Sequence, residues 1–359
     1  MNILITGNMG YVGPRVVRHL RSIWPDAFLG GVDIGWFAPL LTNAPVLPES
    51  LLDVQHFRDV RDVTEELLRG VDAVVHLAGV SNDPMGNRFE TVTLDINLRA
   101  SLDLAARAKR AGVRSFVFAS SCSVYGQAGD RARTEESEVN PLTAYAKSKI
   151  FTERELEPLA DANFRITSLR FATACGMSER LRLDLVLNDF VAGAVAARRI
   201  TILSDGTPWR PLIDVDDMAL AVEWAVSRER DAGGDFLVLN IGRNDANYSV
   251  RQLAEAVAEA IPGTSVSINP NAPADKRSYR VDFSRFEMLA PLHQPRVVLG
   301  DSIARLRDGL TAMGYATANV QDSPLIRLRA LSSLQAAGLL TDELRWTRAG
   351  AGREAAAPV

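Results

Sequence analysis

The start of this chain narrows its fold more than any other stretch. A short apolar strand, Asn2 to Thr6, runs into GNMGYVG, Gly7 to Gly13, and then into the amphipathic segment Pro14 to Ile23. Strand, glycine turn and helix in that order open a βαβ unit, and such units build a parallel sheet with helices on both faces. Gly7 allows the tight turn, Gly10 lets a pyrophosphate approach the backbone, and Gly13 permits close helix packing. Pro14 suits the first helical turn, where its missing donor would be unpaired anyway. The free N–H groups at that helix start face an anion.

A second strand, Phe28 to Val32, ends at Asp33, about twenty residues past the last glycine. At that spacing a carboxylate binds the adenosine ribose of a dinucleotide. Asp33 would repel a 2′-phosphate and no arginine follows it immediately, so the expected cofactor is NAD rather than NADP. Met9, Tyr11 and Val12 in the glycine turn complete the expected phosphate contact. Further along, Asp53 and Val54 follow a possible strand end, placed either near the adenine or on a surface turn. The apolar run Val71 to Ala78 reads as a buried parallel strand. Its exit, Leu77, Ala78 and Gly79, and the loop from Ser81 to Gly86 should lie over the ligand crevice, with Gly79 under the nicotinamide. His76 reads as a packed core histidine. Apolar positions at helical spacing predict one long helix from Thr91 to Ala111, closed by Gly112; Asn97 within it is a candidate cofactor contact whose facing the spacing leaves open.

The densest chemistry lies between Ser120 and Lys149, SSCSVYG followed by NPLTAYAKSK. Tyr145 and Lys149 are four residues apart in a predicted helix, so both side chains fall on one face. A phenol with a pKa near ~10 must lose about 3 units, about 4 kcal/mol, to act as a base at neutral pH. An ammonium ~4 Å away supplies on the order of 4 kcal/mol at an effective dielectric near 20, and a bound oxidised nicotinamide would add positive charge. With Ser121 at the end of the strand Ser115 to Ala119 orienting a reacting oxygen, the trio suits general acid–base chemistry on an alcohol or ketone.

Composition bounds the partners. With 359 residues and 47% hydrophobic content the chain can bury a substantial core; 40 basic against 44 acidic residues give a net charge of −4, which offers no basic footprint for nucleic acid or membrane. Met1 stands almost directly on the first strand, leaving no room for a cleavable signal, and no apolar run approaches a membrane span. Two cysteines, Cys122 and Cys175, make no disulfide framework, so a reduced cytoplasmic location is expected. The four histidines show no metal-ligand spacing.

After the strand Arg165 to Arg170 the strand–helix alternation becomes irregular. The expected division is a Rossmann-type α/β domain, doubly wound around a parallel sheet, from 1–176 plus about 211–245. A smaller α/β substrate domain takes 177–210 plus about 246–325, and 326–359 forms a C-terminal extension ending in a frayed tail. Pro211 to Arg230 reads as a helix, Phe236 to Gly242 as a last strand returning to the sheet, and Ser249 with Gln252 as a capping box.

In order along residues 1 to 285, TGNMGYVG, Asp33, HLAG, SSCSVYG, YAKSK, LRFATACG and WRPLIDVDD resemble the extended short-chain dehydrogenase/reductases, specifically the NAD-dependent epimerase/dehydratase group acting on nucleotide sugars. That resemblance implies Ser121, Tyr145 and Lys149 as the catalytic trio, Lys149 also holding the nicotinamide ribose. It makes Arg210 a ligand for the substrate diphosphate, joined by Arg280 or Arg277, and Ser81, Ser123, Thr173 and Asn188 further substrate contacts. Thr173 stands where many relatives carry Asn. Cys122 and Ser123 stand where dehydratases of the group carry an Asp-Glu pair, which argues against dehydration. The implied activity is epimerisation of a nucleotide-diphosphate sugar through a transient 4-keto intermediate. The same trio would serve a nucleotide-4-keto-sugar reductase or dehydratase. A protein that only senses NAD would usually have lost the tyrosine or lysine kept here. Relatives of this kind pair through the two helices that here span Thr91 to Ala111 and Leu142 to Glu157, so a homodimer is expected.

Overall fold

The computed structural model describes residues 1–129, 131–268 and 277–347. The tail from Arg348 and the first residues of the cation-rich stretch Ala274 to Phe283 lie outside them. Six strands enter the main sheet in succession: β1 (Asn2–Thr6), β2 (Phe28–Asp33), β3 (Val54–Phe57), β4 (Ala73–His76), β5 (Ser115–Ser121) and β6 (Arg165–Phe171). Between them lie α1 (Gly13–Ile23), α2 (Asp83–Arg88), α3 (Glu90–Leu94), α4 (Ser101–Arg110) and α5 (Ala144–Leu156). The second half contributes β7 (Thr173–Cys175), α6 (Val186–Ala197), β8 (Arg199–Ile202), β9 (Trp209–Asp214), α7 (Val215–Ser227), β10 (Phe236–Ile241), β11 (Asn247–Ser249), α8 (Val250–Ala260) and β12 (Ser265–Ile268). Three helices follow, α9 (Ser284–Leu289), α10 (Leu299–Ala312) and α11 (Arg327–Ala336).

The main sheet runs β10-β6-β5-β4-β1-β2-β3 and is parallel throughout. Its near-continuous apolar strands, such as Val74 and Val75 beside Phe116 and Val117, are buried on both faces, as a doubly wound sheet requires. The order reverses between β1 and β4, so the C-terminal ends of these strands open a crevice. A three-stranded sheet, β11-β9-β7, and the pair β12-β8 build the second half. Tyr11 stitches the halves: its hydroxyl donates to the Gly176 carbonyl at 2.6 Å and accepts from Asn188 Nδ2 at 3.0 Å.

Two expectations change. The helix expected over Thr91 to Ala111 is broken by a π turn, Asp95–Ala100, a feature common at functional sites. Ser101 and Thr152 hydroxyls both donate to the Asn97 carbonyl there, which keeps the widened turn satisfied. The helix expected from Pro211 begins only at Val215; Trp209 to Asp214 forms β9, its backbone paired with β11 along one edge and β7 along the other. The Ser249 and Gln252 capping box forms as expected.

Candidate active site

The ends of β1, β2, β4, β5 and β6 deliver their following residues to one cleft of about 820 Å³, within the size range of small-molecule sites. It is lined by Gly7, Gly10, Tyr11, Val12 and Gly13 from the first turn, by Asp33, and by Leu77, Ala78, Gly79 and Ser81 from the β4 exit. Ser121, Ser123, Tyr145, Lys149, Thr173, Arg210 and Arg277 also line it. The residues expected at the site thus converge from both halves of the chain.

The first turn is built for close approach. Gly7 has φ +75°, and a Cβ there would stand 2.5 Å from the Ala78 backbone nitrogen; one on Gly13 would stand 2.3 Å from the Asn8 carbonyl. No side chain fits between the β1 turn, the β4 exit and the start of α1, whose first N–H groups have no partner within the helix. Asp33 is held by the Met9 N–H at 2.9 Å and the Gly35 N–H at 2.7 Å. Burial raises its pKa, those two bonds opposing. A glycine cradle with a buried carboxylate one strand away is the donor and acceptor set for a dinucleotide's pyrophosphate and ribose. These residues fit NAD.

Thr143 starts α5: its Oγ1 accepts the Ala146 N–H at 3.1 Å and donates to Asp83 at 2.6 Å. Tyr145, the second residue of α5, faces Ser121 in the cleft lining, and the Ser121 Oγ accepts the Ser123 N–H at 3.1 Å. Ser120, its neighbour on β5, instead donates to Glu153. Burial pushes the Tyr145 phenol up to about 12; the Ser121 hydroxyl opposes this, and Asp83 adds to it. Lys149 Nζ donates to the Ala119 carbonyl at 2.7 Å and lies over the Phe118 ring. Burial lowers its pKa to about 8, against the pull of Glu153. Without the positive charge of an oxidised nicotinamide, burial therefore keeps the Tyr145 phenol protonated, and Lys149 places one of its three N–H donors on Ala119.

Six expected contacts lie outside the cleft lining. Asp53 accepts the Leu29 N–H and pairs with Arg21 of α1 at 2.7 Å, away from the cleft lining, so of its two expected placements the one near the adenine is not the one found. Val54 beside it belongs to β3. The Met9 N–H is taken by Asp33, and its side chain is buried. Asn97 faces inward and brackets Val80, accepting its N–H at 2.8 Å and donating to its carbonyl at 2.9 Å, which fixes the β4 exit. Asn188 is spent on Tyr11, Arg182 and Gly176, and Arg280 stacks over Trp209.

Sequence reasoning missed several residues that line the cleft. Asp83 pairs with Arg277 at 3.0 Å. Arg182 pairs with Asp184 at 2.6 Å and donates to Ser81 Oγ at 3.0 Å, and Asp184 accepts from Asn82. Tyr279 sits under Arg210. The alternating cations of RLRLD were the available signal for the second group.

The NAD dependent epimerase/dehydratase family matches residues 3–242. The chain belongs to that family. It is an NAD-dependent enzyme of the extended short-chain dehydrogenase/reductase type. Among curated proteins it is similar to UDP-glucuronic acid decarboxylase 6 of Arabidopsis thaliana, 27% identical over 323 residues covering 87% of this chain and 88% of the relative. Among solved structures it resembles MoeE5 in complex with UDP-glucuronic acid and NAD, with a TM-score of 0.73 at 26% identity over 87% of this chain and 100% of the other. UDP-glucuronic acid 4-epimerase from Bacillus cereus shares the fold, with a TM-score of 0.74 at 21% identity over 87% and 100% of the two chains.

Among the described residues no helix is long and apolar enough to cross a membrane.

Proposed function

We propose that this enzyme epimerises a nucleotide-diphosphate sugar at C4, with a UDP-sugar as the first candidate. The observation that carries the reading is that Ser121, Tyr145 and Lys149 line the same cleft as the glycine cradle, Gly7, Gly10 and Gly13. When bound, NAD supplies a reversible hydride acceptor. The protein's share is then proton traffic and orientation. Tyr145, as the phenolate that the Lys149 ammonium favours, takes the proton of the C4 hydroxyl at Oη and becomes the phenol, while Ser121 Oγ holds the oxygen through the ketone stage. Returning the proton from Tyr145 after the sugar has turned gives the epimer. Arg210 and Arg277 hold the diphosphate with planar donors suited to phosphate oxygens. The names of the UDP-sugar relatives support the substrate class.

Dehydration needs an acid to expel water. Cys122 is fully buried with its Sγ on the Arg170 carbonyl, and Asp83 and Asp184 are each engaged by a cation and a second donor. This supports epimerisation over elimination. A homodimer belongs to the same proposal; Phe151, 40% exposed on α5, supports it, and light scattering tests it.

The deciding experiment incubates the enzyme with UDP-, GDP-, CDP- and dTDP-sugars, UDP-glucuronic acid included, and follows products by NMR and absorbance at 340 nm. A C4 epimer with no net absorbance change is expected. Net consumption of reduced cofactor, a released carboxyl carbon or an accumulating dehydrated sugar would each replace the reading.

A further inference from the structure

Residues 323 to 347 wrap over the part of the cleft next to β2. The Trp36 indole donates to the Leu344 carbonyl at 3.1 Å, the Trp346 indole to the Ile34 carbonyl at 2.6 Å, and Arg345 pairs with Asp62 at 2.6 Å. Leu331, Leu340 and Leu344 are buried in the same apolar cluster as Leu4, Val32 and Trp36. The segment packs beside the cleft and contributes one cation to its lining.

That cation is Arg327, the first residue of α11, which lines the cleft and is 1% exposed. Its Nη2 donates to the Arg180 carbonyl at 2.6 Å and its guanidinium lies 4.3 Å from the centre of the Phe37 ring. Its Nη1 has no hydrogen-bond partner among the described residues. Arg182 Nη2, on the same wall, is likewise unpartnered. A buried guanidinium nitrogen without an acceptor is costly, and two of them lining one cavity call for an anion. Position selects which. Phe37 follows four residues after Asp33, the ribose carboxylate, while the groups whose charges act on Arg327 include Tyr11 of the glycine turn. The span between those two landmarks is where the diphosphate of a bound dinucleotide must lie. Arg210 and Arg277, by contrast, gather near Tyr279 and Asp83.

We propose that Arg327, delivered by the C-terminal segment, clamps the diphosphate of NAD from the wall formed by Phe37 and Arg182, so that the extension is a working part of the cofactor site. Burial, with Arg182 adding to it, lowers the Arg327 pKa to about 9; a bound diphosphate would raise it again. The inference concerns the dinucleotide alone and holds whichever sugar reaction the enzyme performs.

The test uses the full chain and reads binding. Titrations with NAD, ADP-ribose, adenosine and UDP are compared for the wild type, Arg327→Gln and Arg327→Lys, together with the NAD retained on purification. Charge-assisted bonds to phosphate set the scale: Arg327→Gln should weaken NAD and ADP-ribose roughly 10- to 100-fold. Adenosine and UDP should stay within about twofold, and Arg327→Lys should fall between. Raising KCl should weaken ADP-ribose binding more steeply in the wild type than in Arg327→Gln. Equal losses for adenosine and ADP-ribose, a loss confined to UDP, or no loss would each overturn the proposal. Should Arg327→Gln fail to fold, an Arg327→Lys variant binding ADP-ribose as tightly as the wild type, with the same salt dependence, would also overturn it.

Discussion

Lys149 Nζ stands 5.6 Å from the centre of the Tyr145 ring while donating its bond to the Ala119 carbonyl. The two side chains share a helix face, as i,i+4 spacing requires, yet the ammonium is anchored to the end of β5. Lysine, serine and tyrosine are thereby referenced to the same rigid strand. Positioning comes from the sheet, and the phenol gains acidity only as the reaction places charge beside it.

Replacing Tyr145 with Phe keeps the ring and removes the proton carrier. Turnover should fall about 10³-fold, within the range for loss of a general acid–base. NAD titrations should match the wild type within about twofold, because the glycine cradle and Asp33 are untouched. Unchanged turnover would remove Tyr145 from the mechanism.

Lys149 sets an alkaline limit. Burial brings its pKa to about 8, so it is charged below that pH and neutral above it. The profile of kcat/KM should bend downward near pH 8 in the wild type. Arg stays charged across the range, so Lys149→Arg should lower the rate yet lose the bend. The same bend in both enzymes would assign it to another group.

Local order made much of this legible in the sequence, and long-range pairing hid the rest. The glycine spacing and apolar runs are properties of neighbouring residues, so β1, α1, β2 and α5 emerge within a few residues of their expected bounds. Asp33 closes β2 at the cleft end of the strands. Asp53 precedes β3 and sits beside Leu29 near the start of β2, at the opposite end, where Arg21 holds it; the strand expected before Asp53 hides that difference. Asn97 and Asn188 are spent on backbone shaped by distant segments. Arg327 reaches the cleft because Leu331, Leu340 and Leu344 bury against Trp36, an association with no local signature.

His76 should make the fold acid-sensitive. It is buried between Phe116 and Phe118 and bonded to Thr6 and Ser101. Burial, with the nearby Lys149 charge adding to it, lowers its pKa to about 3. Below pH 6.5 the unfolded chain takes up a proton that the folded one refuses, so its stabilising contribution is full above 6.5 and drains as pH falls toward 3. Buried Asp214, raised to about 6, works the other way, so the comparison must be with a His76→Gln variant. The stability gap between wild type and variant, from urea unfolding, should narrow by roughly 1.4 kcal/mol per pH unit below 6.5. A constant gap would mean that the histidine charges inside the fold.

Glu153 ties stability to the site. It is buried, pairs with Arg170 at 2.6 Å and accepts from Ser120, and Arg170 passes the network on to Tyr125 at 3.0 Å. Glu153→Gln leaves a buried guanidinium without its counter-charge, a change that costs about 3 to 5 kcal/mol when one partner of such a pair is removed. It also removes the charge that holds the Lys149 pKa up, so the alkaline bend in kcat/KM should move below pH 8. Arg170→Met should destabilise similarly, with Glu153 then taking up a proton and the bend again moving down. If Glu153→Gln loses stability while its bend stays in place, Glu153 supports only the core, and Lys149 takes its charge state from burial alone.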